Sequence, residues 1–535
     1  MTEFGEEPAV VEMPRPRPRL ARSTAIFSIA TGLSRVVGLI RESVSAYYFG
    51  SRGRINAFTV AFQIPNLVRA LVADAALSGA FVPVFSELLE KGDRRRAWRV
   101  ASTLFWLLLL GLGGLTALFV LLAPYVLRVF GNPGGDLDLA VGLSRVLFPI
   151  VVLLGLTGIV VGILNTHDHF TVPALTPVFW NLAIIAGLVI GVPTQHGVNG
   201  KLYVYAGSIV AGTLIQFFLP LPWLRGLDGR LRVVVDWRDP AVKRFFVLLL
   251  PVTVGLGLIN INAVIDTVFA SRLIDATLAP TAIDKAFRLY MLPQGMFSVA
   301  VATVLFPALS RLAARSDLEH FRETLALGVR QIGFLLVPAG AVSAVLAEPI
   351  VRIVYQRGSF TADQTTVVAG ALAAFSLGLV FNGWMLMLNR AFFSLQSNWF
   401  PTIVALANLG LNAVLDAAFY RVGVWGIPLA TSLVNVAGAF ALAYALRSKL
   451  GRLGLGAILD SLARVIVASG VAAGLAFLVW WGIDDALGRS FATQIVSVGV
   501  ALVVAGAGYV SSCRALGVPE VKPLLGLLRH GRRGT

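Results

Sequence analysis

The chain has 535 residues, of which 57% are hydrophobic and 13% are charged. Soluble domains carry about 25% charged residues, so the composition excludes a water-soluble globular protein and predicts a protein with many membrane spans. The net charge of +16 does not indicate nucleic-acid binding, because the basic residues form short runs between apolar stretches. Loops that face anionic lipid headgroups have this pattern. Cys513 is the one cysteine, which excludes an internal disulfide.

The first residues, 1–20, are rich in proline and arginine and are expected to form a disordered cytosolic tail. Beyond them the sequence contains fourteen stretches that approach the roughly 20 apolar residues of a spanning helix. Three of these stretches are 56–88, 138–164 and 363–392. We therefore predict an all-α polytopic membrane protein with about 14 transmembrane helices.

Loop charge supports an even number of spans. With a cytoplasmic N-terminus, the basic segments EKGDRRRAWR (90–99) and RLAARSDLEHFR (311–322) fall on the inner side. The segments GNPGGDLD (131–138) and GIDDALGR (482–489), which have few basic residues, fall on the outer side. This distribution follows the positive-inside rule and predicts that both termini are cytoplasmic.

An internal repeat divides the chain. A shift of 224 residues superposes FVPVFSELLEKGD (81–93) on LFPALSRLAARSD (305–317) and places Glu42 over Asp266. Six spans separate the repeats, so both halves have the same orientation and a parallel pseudo-twofold fold is predicted. The predicted parts are an N-lobe with helices 1–6 (21–225), a C-lobe with helices 7–12 (226–450), accessory helices 13–14 (451–515) and a basic cytosolic tail (516–535).

Several predicted spans contain charged residues. Each charge at the bilayer centre costs about 2.5–3.5 kcal/mol on insertion scales, so these side chains must face protein or water. Pairs such as Arg41–Glu42 and Arg69–Asp74 would serve to hold helices together, but such pairing leaves an excess of arginine. The planar guanidinium suits phosphate or pyrophosphate, which favours an anionic substrate. The set comprises Arg35, Arg41, Glu42, Arg69, Asp74 and Arg288.

A second group of side chains is rich in oxygen. Asp266 stands in the seventh predicted span, Asn412 and Asp416 in the eleventh, and Thr431 in the twelfth, with Ser432 as its rival. Carboxylate, amide and hydroxyl oxygens are ligands for hard cations, so this group predicts a sodium site in preference to a proton site alone. The alternative is that the asparagines only form interhelical hydrogen bonds.

Two long stretches carry a resemblance to a known family. They are SRVVGLIRES with AFTVAFQIPNLVRALVADAALSGAFVPVFSE (34–43 and 57–87) and FRLYMLPQGMFSVAVATVLFPALSRLAA (287–314). The chain resembles, over nearly its whole length, the MurJ (MviN) family of lipid II flippases in the multidrug/oligosaccharidyl-lipid/polysaccharide exporter superfamily. The resemblance implies two six-helix lobes with two extra helices bordering a lipid groove.

The resemblance also implies roles for individual residues. Arg35, Arg41, Arg69 and Arg288 match the family's cavity arginines, and Glu42 and Asp74 match acidic positions with a gating role. Asp266, Asn412, Asp416 and Thr431 fall where some members hold sodium. The chain departs from the family at Ala70, where many members have arginine, and at Asn56 and Phe287, where many have aspartate.

The expected function is therefore transport without enzymatic catalysis. The resemblance implies that the protein carries undecaprenyl-pyrophosphate-linked peptidoglycan precursor from the cytoplasmic to the outer leaflet of the bacterial cytoplasmic membrane by alternating access. Expected partners are lipid II, membrane lipids and cell-wall synthesis proteins, with a monomeric protein and no nucleic acid. Alternatives are a flippase for another lipid-linked oligosaccharide, a cation-coupled drug antiporter and a non-transporting scaffold. The arginine excess argues against an antiporter for cationic drugs and gives a scaffold no reason to retain these charges.

Overall fold

A computed structural model describes residues 18–72, 75–167, 169–397, 399–451 and 455–521. Within these ranges the secondary structure is helical and includes no β-strand, which confirms the all-α prediction. Most of the predicted N-terminal and C-terminal tails lie outside the described residues, and so does Asp74.

In the part of the chain that the structure describes, the first lobe contains eight helices whose apolar side chains pack into one core. One predicted span of this lobe is divided into two helices, and the span predicted at 56–88 is described on both sides of residues 73–74, which lie outside the described residues. The span predicted at 138–164 breaks before Ile150, where Pro149 cannot donate a backbone hydrogen bond. The helices are α1 (Pro18–Phe49), α2 (Ile55–Val72), α3 (Ala75–Glu90), α4 (Arg94–Leu127), α5 (Leu137–Leu147), α6 (Ile150–Thr166), α7 (Thr171–Ala186) and α8 (Val198–Phe218).

The second lobe has a core of its own, formed mainly by its α10–α14 and α16. Its α13 and α14, predicted as one span, meet at a bend of 44°. Ser432 packs into the bend, donating to Ala374 O at 2.6 Å and accepting from Gly378 N at 3.1 Å. The helices are α9 (Pro240–Phe269), α10 (Ala279–Ala314), α11 (Leu318–Val345), α12 (Ala347–Tyr355), α13 (Ala362–Leu377), α14 (Leu379–Ser394), α15 (Trp399–Phe419) and α16 (Gly426–Leu450).

The last two helices, α17 (Leu455–Leu487) and α18 (Phe491–Ala515), form a third core with residues of α11. The Tyr509 hydroxyl donates to Phe334 O at 2.6 Å, which joins α18 to α11. The pair therefore packs as an appendage on the second lobe.

The internal repeat has counterparts in local structure. Asp93 accepts from Arg96 N at 3.2 Å and caps α4, and Asp317 accepts from His320 N at 3.2 Å and caps α11. The residues before these caps, Gly92 and Ser316, both have left-handed backbones, with φ of 76° and 58°. Likewise α1 packs along α7, and α9 packs along α15. The exact domain boundaries stay predictions.

Ten described helical segments are long and apolar enough to cross a membrane, and the bent pair α13–α14 makes an eleventh. α1, the α2–α3 pair and α9 occupy the positions of the other three predicted spans. The total of fourteen spans stays a prediction.

Candidate functional site: a buried charge cluster beside a polar cavity

Arg41 and Glu42, which are buried, form with the partly buried Arg288 a charge cluster that joins α1 to α10. Glu42 is 7% exposed, and its Oε1 accepts from Arg41 Nη2 at 2.5 Å and from Arg288 Nη1 at 3.0 Å. Arg288 Nε also donates to Asp284 Oδ2, one helical turn away, at 2.8 Å. The Arg41 guanidinium lies 4.8 Å from the centre of the Trp180 ring on α7. A single carboxylate is thus shared by two arginines from the two lobes.

Lys285 is a third cation at this cluster, and the sequence reasoning missed it. Its side chain is 3% exposed, its Nζ lies 4.8 Å from the centre of the Tyr355 ring, and it interacts electrostatically with Glu42. The cluster therefore contains three basic side chains and two carboxylates, Glu42 and Asp284. Asp284 and Lys285 also carry charge within a predicted span. The cost of inserting a charge into the membrane, which pointed to Arg288, could therefore have identified both residues from the sequence.

Arg35 and Arg69 lie at separate positions. The Arg35 guanidinium packs against Gly295 of α10, with Nη1 at 2.6 Å from the point where a Cβ would stand. Arg69, in the last turn of α2, donates from Nε and Nη2 to Asn66 Oδ1 at 3.1 and 2.9 Å. The structure thus brings Arg41, Glu42 and Arg288 together and places Arg35 and Arg69 elsewhere on α1 and α2.

A cavity of about 450 Å³ lies beside the charge cluster. It is lined by α2 and by six helices of the second lobe, α9, α10 and α13–α16. Asp284 joins the cavity wall to the cluster, since its carboxylate accepts from Arg288. None of the four predicted substrate-binding arginines lines this cavity, whose wall includes Asp266, Asn412 and Thr431.

Three of the four predicted cation ligands, Asp266, Asn412 and Asp416, meet beside the cavity, whose wall includes Asp266 and Asn412. Asn412 Nδ2 donates to Asp266 Oδ1 at 2.6 Å and to Asp416 Oδ2 at 3.0 Å. Asn412 and Asp416 are fully buried, yet Asn412 Oδ1 and Asp416 Oδ1 have no hydrogen-bond partner. A buried acceptor without a partner costs about 1–3 kcal/mol. Two carboxylates beside unpartnered oxygens fit a hard cation.

Thr431 and Ser432, the two candidates for the hydroxyl ligand, face different surroundings. Thr431 lines the cavity and donates to Ile427 O at 3.2 Å, which leaves its oxygen lone pairs free to face the cavity. Ser432 is engaged at the bend between α13 and α14. The geometry is thus compatible with Thr431 as the hydroxyl ligand.

The two lobes are hydrogen-bonded at one end of the bundle, which we call the closed end and which comprises residues 47–57, 128–136, 271–281 and 356–364. Here Gly53 N donates to Thr277 O at 2.6 Å, and Gly134 N donates to Ala276 O at 2.7 Å. Ser359 N donates to Tyr47 O at 2.8 Å. The backbones of the two lobes are therefore in direct contact at this end.

Asn56 contributes the largest number of side-chain bonds at the closed end. Its Nδ2 donates to Ser51 O and Gly53 O, both at 3.0 Å, and to Thr277 O at 2.5 Å. Its Oδ1 accepts from Thr281 N, in the first turn of α10, at 2.9 Å. Because the side chain is fully buried, it joins α2 to the loop before α10 without access to water.

At the opposite end, Asp228 fastens the segment between α8 and α9 to the first lobe. It accepts from Trp98 Nε1 and His167 Nε2, both at 3.0 Å, and lies 3.3 Å from Arg94 Nε. Partial burial opposes ionisation, but the hydrogen bonds from Trp98 and His167 outweigh it and lower the pKa of Asp228 below its ordinary value. His167 therefore has a structural role as a hydrogen-bond partner of Asp228.

Comparison with known proteins identifies the family. The family model described as lipid II flippase MurJ matches residues 45–494. A lipid II flippase MurJ of Burkholderia cenocepacia is 31% identical over 75% of this chain and 78% of its own. The chain belongs to the MurJ family. A probable lipid II flippase MurJ of Vibrio cholerae is 32% identical over 78% of this chain and 80% of its own.

Solved structures agree with the MurJ fold. A lipid II flippase MurJ in an inward closed conformation matches with a TM-score of 0.75 and 24% identity, covering 92% of this chain and 99% of its own. An inward-facing multidrug resistance transporter of the MATE family matches with a TM-score of 0.65 and 16% identity, covering 81% and 98%. At these identities the similarity shows the fold alone. Within that fold, the charge cluster of this MurJ family member bridges the two lobes.

Proposed function

We propose that this MurJ family member is a lipid II flippase of the bacterial cytoplasmic membrane. The observation that carries the proposal is the buried cluster in which Arg41 and Arg288, from the two lobes, share the one carboxylate of Glu42. With Lys285 and Asp284 included, basic groups outnumber carboxylates. A buried cationic group that joins two moving bodies is suited to an anionic headgroup.

The pyrophosphate of the lipid would compete with Glu42 for the arginines. Each guanidinium offers paired donors that match phosphate oxygens, and a pyrophosphate carries more charge than one carboxylate. Exchange of Glu42 for pyrophosphate at Arg288 would loosen the link between α1 and α10. Lys285 would then remain beside Glu42 and compensate its charge.

Alternating access follows from assigning the closed end to the outer face of the membrane. The headgroup enters from the cytoplasm, where both termini lie in this assignment, and the lipid tail stays in the bilayer. Separation of the closed end, at Asn56 and Thr277, releases the headgroup outside. Moving about two negative charges out of an inside-negative cell at ~100 mV is downhill by roughly 4–5 kcal/mol.

Sodium is the proposed coupling ion. Asp266, Asp416, the Asn412 carbonyl and the Thr431 hydroxyl would supply its oxygen ligands. Bound there, the ion would neutralise two adjacent carboxylates and favour one packing of α9 against α15. Its return into the cell would reset the lobes.

The experiment that tests the function is depletion of a cell's own flippase with this chain as replacement, followed by an assay of lipid II exposed on the outer face. The chain itself is expected to restore exposure. Arg288→Ala is expected to insert at normal levels and fail to restore it. Arg322→Ala, which removes a partly buried arginine near the start of α11, is the matched control and should behave as the parent. Normal exposure with Arg288→Ala, or none with the parent chain, would refute the proposal.

A further inference from the structure

The cavity beside the charge cluster is unusually rich in uncharged amides. Buried ligand sites are mostly apolar with a few placed polar groups. Here, besides Asn412, seven amide side chains line one cavity of about 450 Å³: Gln63, Asn262, Gln294, Asn382, Asn389, Asn408 and Asn435. Among the residues that the structure describes, no arginine or lysine lines it, and one of its carboxylates, Asp284, is already paired with Arg288. Amides both donate and accept hydrogen bonds, so the wall suits a neutral polar ligand.

Two of these amides have unused acceptors. Gln294 Oε1 and Asn389 Oδ1 are buried and have no hydrogen-bond partner, while the Gln294 amide nitrogen donates to Asn382 Oδ1. Buried acceptors are normally satisfied by protein, water or ligand. Hydroxyl and N–H groups of a ligand in the cavity would satisfy both.

An exposed aromatic face completes the cavity wall. Phe287, one residue before Arg288, is 41% exposed although it lines the cavity. Its ring centre lies 5.6 Å from that of Phe375, which also lines the cavity. The negative face of an aromatic ring attracts weakly positive C–H groups, which sugar rings present on their flat side.

We infer that this cavity binds the N-acetylated sugar of the lipid headgroup, while the adjacent arginines bind its pyrophosphate. The inference rests on the proposed function and assigns it a second subsite. A sugar attached to pyrophosphate is neutral at the point of attachment and carries hydroxyl and acetamido groups. Asp284 lies between the two subsites, because it lines the cavity and accepts from Arg288. Sugar and pyrophosphate are bonded directly, so their subsites must adjoin.

The test measures binding to the purified full chain in nanodiscs with three probes: undecaprenyl pyrophosphate, the same lipid bearing the disaccharide without peptide, and complete lipid II. The test variants are Asn389→Leu and Phe287→Leu. Phe477→Leu on α17, which removes a ring of 43% exposure outside the cavity, is the matched control. Arg288→Ala serves as the pyrophosphate variant.

Asn389→Leu and Phe287→Leu are each expected to weaken binding of both sugar-bearing probes by about tenfold, the effect of losing one or two neutral contacts. They should leave undecaprenyl pyrophosphate unaffected. Arg288→Ala should weaken all three probes, and Phe477→Leu none.

Three results would overturn the inference while leaving the flippase function standing. These are unchanged binding of the sugar-bearing probes, equal loss for all three probes, and loss confined to complete lipid II, which would assign the cavity to the peptide. If the parent chain binds none of the probes, the proposed function fails as well.

Discussion

The guanidinium of Arg35 on α1 lies directly over Gly295 on α10, where a Cβ would come within 2.6 Å of Nη1 and 3.1 Å of Cζ. The Arg35 guanidinium can occupy this position because Gly295 has no side chain. We therefore expect Gly295→Ala to displace the guanidinium and to reduce outward exposure of lipid II by about tenfold or more, since small misplacements of a binding group have large effects.

Stability should change little in Gly295→Ala, because only the end of a flexible side chain has to move. Gly32→Ala on α1 is the matched control, since nothing lies within 4 Å of its added Cβ. Adding Gly295→Ala to an Arg35→Ala background should have no further effect. A Gly295→Ala protein with normal exposure would contradict this role.

The Glu42–Arg288 contact is expected to show strong coupling in a double-mutant cycle. Glu42→Gln alone leaves buried cations without their carboxylate and should destabilise the protein by roughly 3–5 kcal/mol. The double variant Glu42→Gln/Arg288→Met should lose less stability than the two single variants added together, by roughly 1–3 kcal/mol. Thermal unfolding in detergent measures both quantities.

The pair Glu348–Arg352 on α12 provides the comparison. Glu348 is 48% exposed at its side chain and contacts Arg352 at 2.5 Å. A pair with one such exposed partner should couple by no more than about 1 kcal/mol. Equal coupling free energies for Glu42–Arg288 and Glu348–Arg352 would mean that burial does not strengthen the interaction of Glu42 with Arg288.

Asn56→Leu is expected to weaken the closed end. The variant loses the two N–H donors of the amide, which face three carbonyl oxygens, and one accepted bond. Each bond contributes about 1 kcal/mol, so the open state gains population. Thr59→Cys reports the change, because the Thr59 hydroxyl faces that of Thr281 at 2.8 Å across the two lobes. Cys513, the single native cysteine, is fully buried and gives no background.

An impermeant thiol reagent added outside should label Thr59→Cys several-fold faster when Asn56→Leu is present. Asn199→Leu is the matched control, since Asn199 accepts from Arg54 within the first lobe. Labelling at the parental rate in Asn56→Leu would show that the closed end does not depend on this residue.

Much of the molecule could be predicted from the sequence. Composition and the length of the apolar stretches identify the membrane class, and the pairing of Asp93 with Asp317 identifies two residues that cap equivalent helices. The sequence also points to Arg41, Glu42 and Arg288, because charged residues within apolar stretches are visible in the sequence and are costly to insert into a membrane.

Features that depend on packing could not be predicted in this way. Division of a span into two helices depends on partners distant in sequence, as Ser432 at the bend near Gly378 illustrates. Nor does spacing along α1 reveal that Arg35 packs on Gly295 while Arg41 reaches Trp180. The amides of the cavity come from six helices, so their convergence is visible only in three dimensions.

Asp228 should make the segment before α9 sensitive to acid. Because the pKa of this carboxyl is lowered in the folded protein, its contribution is fully present above the unfolded pKa and is lost as the pH falls through the folded value. A spin label at Arg230→Cys should therefore gain mobility in that acidic window. In an Asp228→Asn background the label should be mobile at every pH. A label that is immobile in both backgrounds would show that other contacts hold the segment.

Sodium is expected to stabilise the protein through Asp266, Asn412 and Asp416. A ligand that binds only the folded state stabilises it by about 2.7 kcal/mol at a concentration 100 times its Kd, so thermal unfolding should shift upward in sodium chloride relative to choline chloride. Asp416→Asn removes one carboxylate and should abolish the shift. Asp363→Asn, at an exposed position in the first turn of α13, should preserve it. A shift that survives Asp416→Asn would locate sodium elsewhere. If the parent chain responds equally to sodium and choline, Asn412 Oδ1 and Asp416 Oδ1 must be satisfied without the ion, by water or by a proton shared between the carboxylates.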